Sequence, residues 1–261
     1  VEHGRIGPTL AQGLAMLLDG QVTVPPSTQV VIGRLTGPVS WGVSVVDGTR
    51  RPLLGDVVLA DAVAQHLQLK AAWQVSQLSA LAPQTMILIE EPYMSSFGSA
   101  YVGASREQVI GLLDQVFAGV QGLRGIHCCG NTDWSVPLAT RADLISLDAY
   151  NYPQGLLAHG DALSQFLERG GIIAWGIVPA GIAATRESTD SLVARLERSL
   201  NQLVEQGLSR DLVMRQGLVS PSCALGALSP GLAESILSQT AAVSAEMSRR
   251  YGVDGASPAS P

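Results

Sequence analysis

Two sulfurs and an imidazole offer the most chemistry in this chain. His127 and Cys129 are separated by one residue. In an extended segment, side chains at i and i+2 point the same way, so one metal ion could take both. Cys223 lies far downstream, just past another apolar run, and could supply a third donor. A Cys2His set gives three protein ligands and one open position, the pattern of catalytic rather than structural zinc. The fourth group would be water, a substrate thiol or Asp148. The competing reading is that all three cysteines are small buried hydrophobes, which thiols often are; spacing leaves both open. Cys128 should point to the opposite face and pack between sheet and helix.

Carboxylates form the second signal. Glu90-Glu91-Pro92 follows an apolar run, so at least one side chain should reach the same end of the sheet. A carboxylate there can hold an ammonium group or move a proton; a solvated turn is the plain alternative. Asp148 heads Asp148-Ala149-Tyr150-Asn151-Tyr152 and could ligate the metal, orient His127 from behind, or cap the next segment. Thr36-Gly37-Pro38 with Trp41 could shape a ligand wall, or Gly37 could only turn the chain. His3, His66 and His159 have no comparable neighbourhood. His66 is expected on the solvated side of a helix, His159 in a loop, and Trp134 and Trp175 in packing roles.

These residues need a frame to bring them together. Apolar runs at Gln29–Gly33, Thr85–Ile89, Leu123–Cys128, Leu144–Asp148, Gly171–Val178 and Leu212–Val219 are rich in Val, Ile and Leu and are expected to be strands buried on both faces. Helical patterns alternate with them: Pro8–Asp19, Asp56–Leu81, Ser105–Val120 with a capping-box start, Asp161–Arg169 stopped by Gly170-Gly171, Glu187–Gln206, and Ser229–Tyr251 with Pro230 at its first position. Such alternation predicts an α/β fold with a parallel sheet. In a (β/α)8 barrel of TIM type, the C-terminal strand ends converge on one face. Six strands are expected, two short of such a barrel, and Pro8–Asp19 could follow a strand that is absent here. We expect one barrel domain over 1–251, incomplete at its N-terminus, and a Ser/Pro/Ala-rich disordered tail over 252–261. The long stretch Leu35–Asp56 is a candidate lid or donor-docking loop.

Composition narrows the classes of function. The chain has 261 residues, 46% apolar and 15% charged, with 28 glycines and 14 prolines, which excludes a disordered, collagen-like or coiled-coil chain. Sixteen basic residues against 22 acidic ones give a net charge of −6. The basic residues form no cluster, so nucleic acid is not an expected partner. The apolar run Gly171–Ala184 is too short to span a bilayer, so no membrane partner is expected. The N-terminus lacks the features of a signal peptide and an initiator Met, so the chain could start part-way into a gene product. Three cysteines are an odd count for a secreted disulfide framework. A reducing, cytoplasmic location is expected.

Thr36-Gly37-Pro38, Ile89-Glu90-Glu91-Pro92, His127-Cys128-Cys129, Ile145-Ser146-Leu147-Asp148 and Ser220-Pro221-Ser222-Cys223 together resemble the catalytic half of cobalamin-independent methionine synthase. The run from Glu91-Pro92-Tyr93 through Phe97-Gly98-Ser99-Ala100, with His127–Trp134, is similar to the short core homologues of that family, which belong with the uroporphyrinogen decarboxylase-like barrels. The resemblance covers roughly Val30 to Ala227, and His-x-Cys with a distant Pro-x-Cys is its specific part. It implies a zinc-dependent transferase of methionine biosynthesis, in which the metal activates the thiol of homocysteine for methyl transfer. The implied zinc ligands are His127, Cys129 and Cys223, with Asp148 at the place of the family's glutamate ligand and one methylene shorter. Glu90 falls where the family binds the ammonium of homocysteine, with Glu91, Gly37 and Pro38 as further substrate contacts. Two features depart from the family. Trp175-Gly176-Ile177-Val178-Pro179 carries no histidine where the family keeps the acid that activates methyl-folate, so a corrinoid protein is the implied methyl donor. The family's first two strands also have no match here. Two alternatives stand beside this reading: a methyltransferase for another thiol acceptor, or a non-catalytic zinc-binding subunit completed by a partner chain.

Overall fold

The structure is a computed structural model, and it describes residues 2–99 and 102–252. Apart from Gly252, the expected tail lies outside the described residues. Two compact units emerge. The first runs to Cys128 and takes in Ala139–Leu144; the second comprises Cys129–Leu138 and the chain from Ile145 onward.

The first unit contains α1 (Gln12–Leu18), β1 (Val30–Thr36), α2 (Pro38–Ser44), α3 (Val57–Leu78), β2 (Gln84–Glu90), α4 (Arg106–Phe117) and β3 (Leu123–Cys128). β1 pairs with β2 and β2 with β3, both in parallel. α3 starts where the Asp56 carboxylate accepts from the Val58 and Leu59 amides, satisfying donors that a helix start leaves open. Its buried residues Ala60, Ala64, Leu67, Ala71, Val75 and Leu78 form one stripe. The small residues let it lie close to β1, and Gly33 has no room for a Cβ against Gln74 and Leu78. α4 opens on Ser105, whose hydroxyl accepts from the Gln108 amide at 3.2 Å.

The second unit contains α5 (Ser135–Leu138), all but the first residue of β4 (Leu144–Leu147), α6 (Pro153–Leu157), α7 (Gly160–Glu168), β5 (Ile172–Val178), α8 (Thr189–Glu205), α9 (Arg210–Arg215), β6 (Gly217–Pro221) and α10 (Pro230–Tyr251). β5 and β6 pair in parallel, with a register shift between Gly176 and Val178. Ser188 and Ser191 cap α8 reciprocally. α7 stops before Gly170, whose φ is +90°, and α10 stops at Gly252 in the left-handed region.

The sheet order is β1-β2-β3-β4-β5-β6. Parallel strands that keep chain order, each followed by helix, make this an α/β fold of successive βα units. Closure into an eight-stranded barrel is not present among the described residues. No helix among them is long and apolar enough to cross a membrane.

Three expectations need correction. First, burial on both faces holds for β2 to β5 but not for β1 and β6. They end the strand order, and β1 alternates, exposing Ile32, Arg34 and Thr36 while burying Gly33 and Leu35. Second, the run Leu212–Val219 is not one strand, because Arg210–Arg215 is helical and β6 begins at Gly217. The Val213 amide donates to the Ser209 carbonyl at 3.0 Å, and Asp211 and Arg215 pair one helical turn apart. A short apolar run cannot by itself distinguish the two states. Third, Leu35–Asp56 is not a bare loop. It holds α2, a bridge between Val46 and Pro52, and a 3-10 turn at Leu53–Gly55.

Candidate metal centre

His127 and Cys129 enter the site through the end of β3. β2 and β3 run in register with Glu90 opposite His127, and β1 continues the row with Thr36 opposite Glu90. Register partners in a parallel pair share a face. Thr36, Glu90 and His127 are therefore lined up on one side of the sheet, and Arg34, two residues before Thr36, joins them. Leu35, Ile89 and Ile126 take the opposite face and are buried. The ladder continues past the strand ends: the Gly37 amide donates to the Glu90 carbonyl and the Glu91 amide to the His127 carbonyl, both at 2.8 Å.

Cys129 and Cys223 are half-buried thiols that hydrogen-bond to each other. Burial first, and then the neighbouring Cys223 and the Asp148 carboxylate, push the Cys129 thiol up to about 11. Cys223 is held in place by its neighbour. The Ser222 amide donates to the Val178 carbonyl at 2.8 Å, and the Ser222 hydroxyl accepts from the Ala180 amide at 3.0 Å. The ligand atoms of His127, Cys129 and Cys223 all lie within 4.8 Å of one another.

Asp148 follows β4 directly as a buried carboxylate. It accepts from the Asn151 backbone at 2.9 Å and from the Asn151 side chain at 2.7 Å. It acts electrostatically on Cys129, but it is not in the three-residue ligand set. Tyr150, just beyond, donates its hydroxyl to Glu187 at 2.6 Å and stacks under Arg195, which fixes the turn after β4.

Glu90 and Glu91 go separate ways. Glu90 is partly exposed and pairs with Arg34, Nη1 to Oε1 at 2.5 Å. Glu91 is fully buried. Its Oε1 accepts from the Val39 amide at 2.9 Å, and its Oε2 from the Ser40 amide at 2.7 Å and the Ser40 hydroxyl at 2.6 Å. Glu91 thus caps α2 from a distant strand end, since Gly37, at the cap position, has no side chain to do so. Burial raises its carboxyl from 4.5 to about 7 against those three bonds. A Cβ on Gly37 would collide with the Glu91 carboxylate, so glycine is required there for space. Pro38 is the first residue of α2. Of the expected substrate contacts, then, Glu91, Gly37 and Pro38 form one joint inside the fold, while Glu90 stays on the row beside His127.

Trp41 lines an apolar cavity of about 230 Å³ with Leu53, Leu59, Val63 and His66. His66 is exposed on α3, and His159 precedes α7 within 3.4 Å of Asp133. Trp134 and Trp175 are buried. Sequence reasoning assigned no role to Arg34, Ser40 or Asn151. Period-two alternation, which places Arg34 on the face of Thr36, could have singled out the first.

Two thiols and an imidazole suit zinc. The residues fit the ion.

No protein-family model and no curated protein matches the sequence. Among solved structures, a methyltransferase from Methanosarcina mazei superposes with a TM-score of 0.53 at 16% identity over 92% of this chain. This likeness is one of fold. The chain spans 63% of the length of that protein. A second structure, of an uncharacterized protein, gives a TM-score of 0.37 at 13% identity, covering 94% of this chain and 62% of the other.

Proposed function

We propose that this chain is a zinc-dependent thiol methyltransferase acting on homocysteine, built on a barrel of (β/α)8 type. The observation that carries the reading is the convergence of His127, Cys129 and Cys223. The fold likeness to a methyltransferase and the resemblance of the strand-end motifs support it.

His127, Cys129 and Cys223 would hold the ion, with Asp148 as fourth ligand or as the group that tunes Cys129. Zinc, when bound, lets an incoming thiol ionise at neutral pH, where a free thiol with a pKa near 8.5 is mostly protonated. The chain's own residues do the rest. Glu90, beside His127, orients the substrate by a charge-assisted bond to its ammonium, which supplies proximity. The substrate sulfur forms the new bond to the methyl carbon as the bond from methyl to donor breaks, and the donor keeps that electron pair. With no histidine in Trp175–Pro179 to serve methyl-folate, a corrinoid protein is the proposed donor, and a reducing cytoplasm the proposed location. A different thiol acceptor would use the same ligands and differ only in its contacts beside His127.

The test is metal content per chain, followed by cobalt(II) substitution and titration with homocysteine. A bound ion whose visible spectrum gains sulfur-ligand intensity on adding homocysteine is expected. A chain that binds no stoichiometric metal, or whose cobalt spectrum ignores thiols, overturns the reading.

A further inference from the structure

Arg34 is a charged residue inside a strand, and the assignments so far leave it unused. It lies on β1, on the face that carries Thr36, Glu90 and His127. Its backbone is fixed from behind, where the buried Gln74 side chain donates to the Arg34 carbonyl at 3.1 Å. Its side chain is 50% exposed and that of Glu90 31%. An ion pair that open to solvent contributes little to stability, so stability is a poor reason for holding both charges at the mouth of an apolar sheet.

The pair is also only partly used. Among the described residues, Arg34 contributes one guanidinium nitrogen and Glu90 one carboxylate oxygen. The remaining edge of the guanidinium is a planar fork that matches a carboxylate. The remaining oxygen of Glu90 can accept from an ammonium. A fixed cation and a fixed anion side by side, next to His127, make a receptor for a zwitterion.

We propose that Arg34 is a specificity-determining residue that binds the carboxylate of the acceptor while Glu90 takes its ammonium, so that the site selects an α-amino-acid thiol over neutral or singly charged thiols. This rests on the thiol-acceptor reading above. An acceptor that carries only an anion would meet Glu90 as a repulsive neighbour, and one that carries only a cation would meet Arg34. The discrimination is thus built from repulsion as well as attraction.

The experiment uses the cobalt(II)-loaded chain and four thiols: L-homocysteine, 3-aminopropane-1-thiol, 4-mercaptobutanoate and propane-1-thiol. The wild type should bind homocysteine about 10- to 100-fold more tightly than 3-aminopropane-1-thiol, the range of one charge-assisted hydrogen bond. Arg34→Met should bring that ratio near one without changing the response to propane-1-thiol. Arg34→Lys should fall between, because a point charge keeps attraction and loses the fork. A wild-type ratio near one, or a ratio unchanged in Arg34→Met, overturns the proposal and leaves the metal reading standing. Should cobalt respond to no thiol, the metal reading fails, and Arg34 is judged on the metal-free chain with L-2-aminobutyrate, a zwitterion without sulfur, by ligand-observed NMR. Loss of that binding in Arg34→Met supports Arg34, and equal binding or none in the wild type removes it.

Discussion

The carboxylate of Glu91 holds Ser40 twice. One oxygen accepts from the Ser40 amide at 2.7 Å and from its hydroxyl at 2.6 Å. The main chain of Glu91 meanwhile donates to His127. One residue thus fixes the start of α2 with its side chain and the end of β3 with its backbone.

That joint is sensitive to pH. The Glu91 carboxyl stands at about 7 in the fold against an ordinary 4.5, because it is buried. A raised folded value favours the protonated form. Its contribution is therefore complete below about 4.5 and is lost as pH rises through about 7. The expected loss is about 3 kcal/mol. Urea unfolding from pH 4 to 8 should show the wild type losing stability relative to Glu91→Gln across that window. A difference between the two that stays flat with pH contradicts the assignment.

Gly37→Ala should cost about 1–3 kcal/mol. The added methyl has no room beside the Glu91 carboxylate and Ile89, so one must shift. Thermal denaturation measures the cost, and a melting temperature equal to wild type would show that the joint yields freely.

Cys223→Ala should lose zinc by more than the roughly 10- to 100-fold that removal of an outer partner costs, and thiol alkylation should go with it. The thiol is only half-buried, so the fold should survive. Metal analysis after gel filtration gives the answer, and stoichiometric zinc in the variant would exclude Cys223 as a ligand.

Metal affinity should depend on pH. With its thiol near 11, Cys129 must lose a proton to bind a cation. The apparent zinc affinity should therefore rise at least tenfold per pH unit between pH 6 and 8. Competition with a chromophoric chelator at several pH values measures the slope. A slope near zero means that Cys129 is not a ligand.

Glu90→Gln should raise the KM for homocysteine about tenfold and change kcat little, since it removes a binding charge and no reacting group. Steady-state kinetics separates the two constants. An unchanged KM frees Glu90 from substrate binding.

Local signals in the sequence carried most of the frame. Strands β2 to β5 declare themselves as apolar runs, and Ser105 and Pro230 mark helix starts with groups that act within a turn. His127 and Cys129 stood out as a candidate pair because they share one strand end and their parity is fixed by backbone geometry. What stayed hidden depends on contacts distant in sequence. α2 is capped by Glu91 rather than by its own neighbours, so Leu35–Asp56 reads as a loop. The two adjacent glutamates look alike in sequence, and only folding sends one to Ser40 and the other to Arg34. α9 reads as strand because Leu212, Val213 and Met214 suit either state.

The register shift between Gly176 and Val178, opposite Ser220–Pro221, makes the placement of Cys223 sensitive to chain length as well as to residue type. Strand parity on either side of the irregularity differs by one residue, and Ser222 and Cys223 follow it directly. Deleting a single residue there would turn the Cys223 thiol to the other face of the sheet while leaving composition and hydrophobicity nearly untouched. The Asp47–Arg51 turn, exposed and closed by its own hydrogen bonds, has no such parity to protect. Variation in the length of this protein should therefore gather at that turn and be rare between β5 and Cys223.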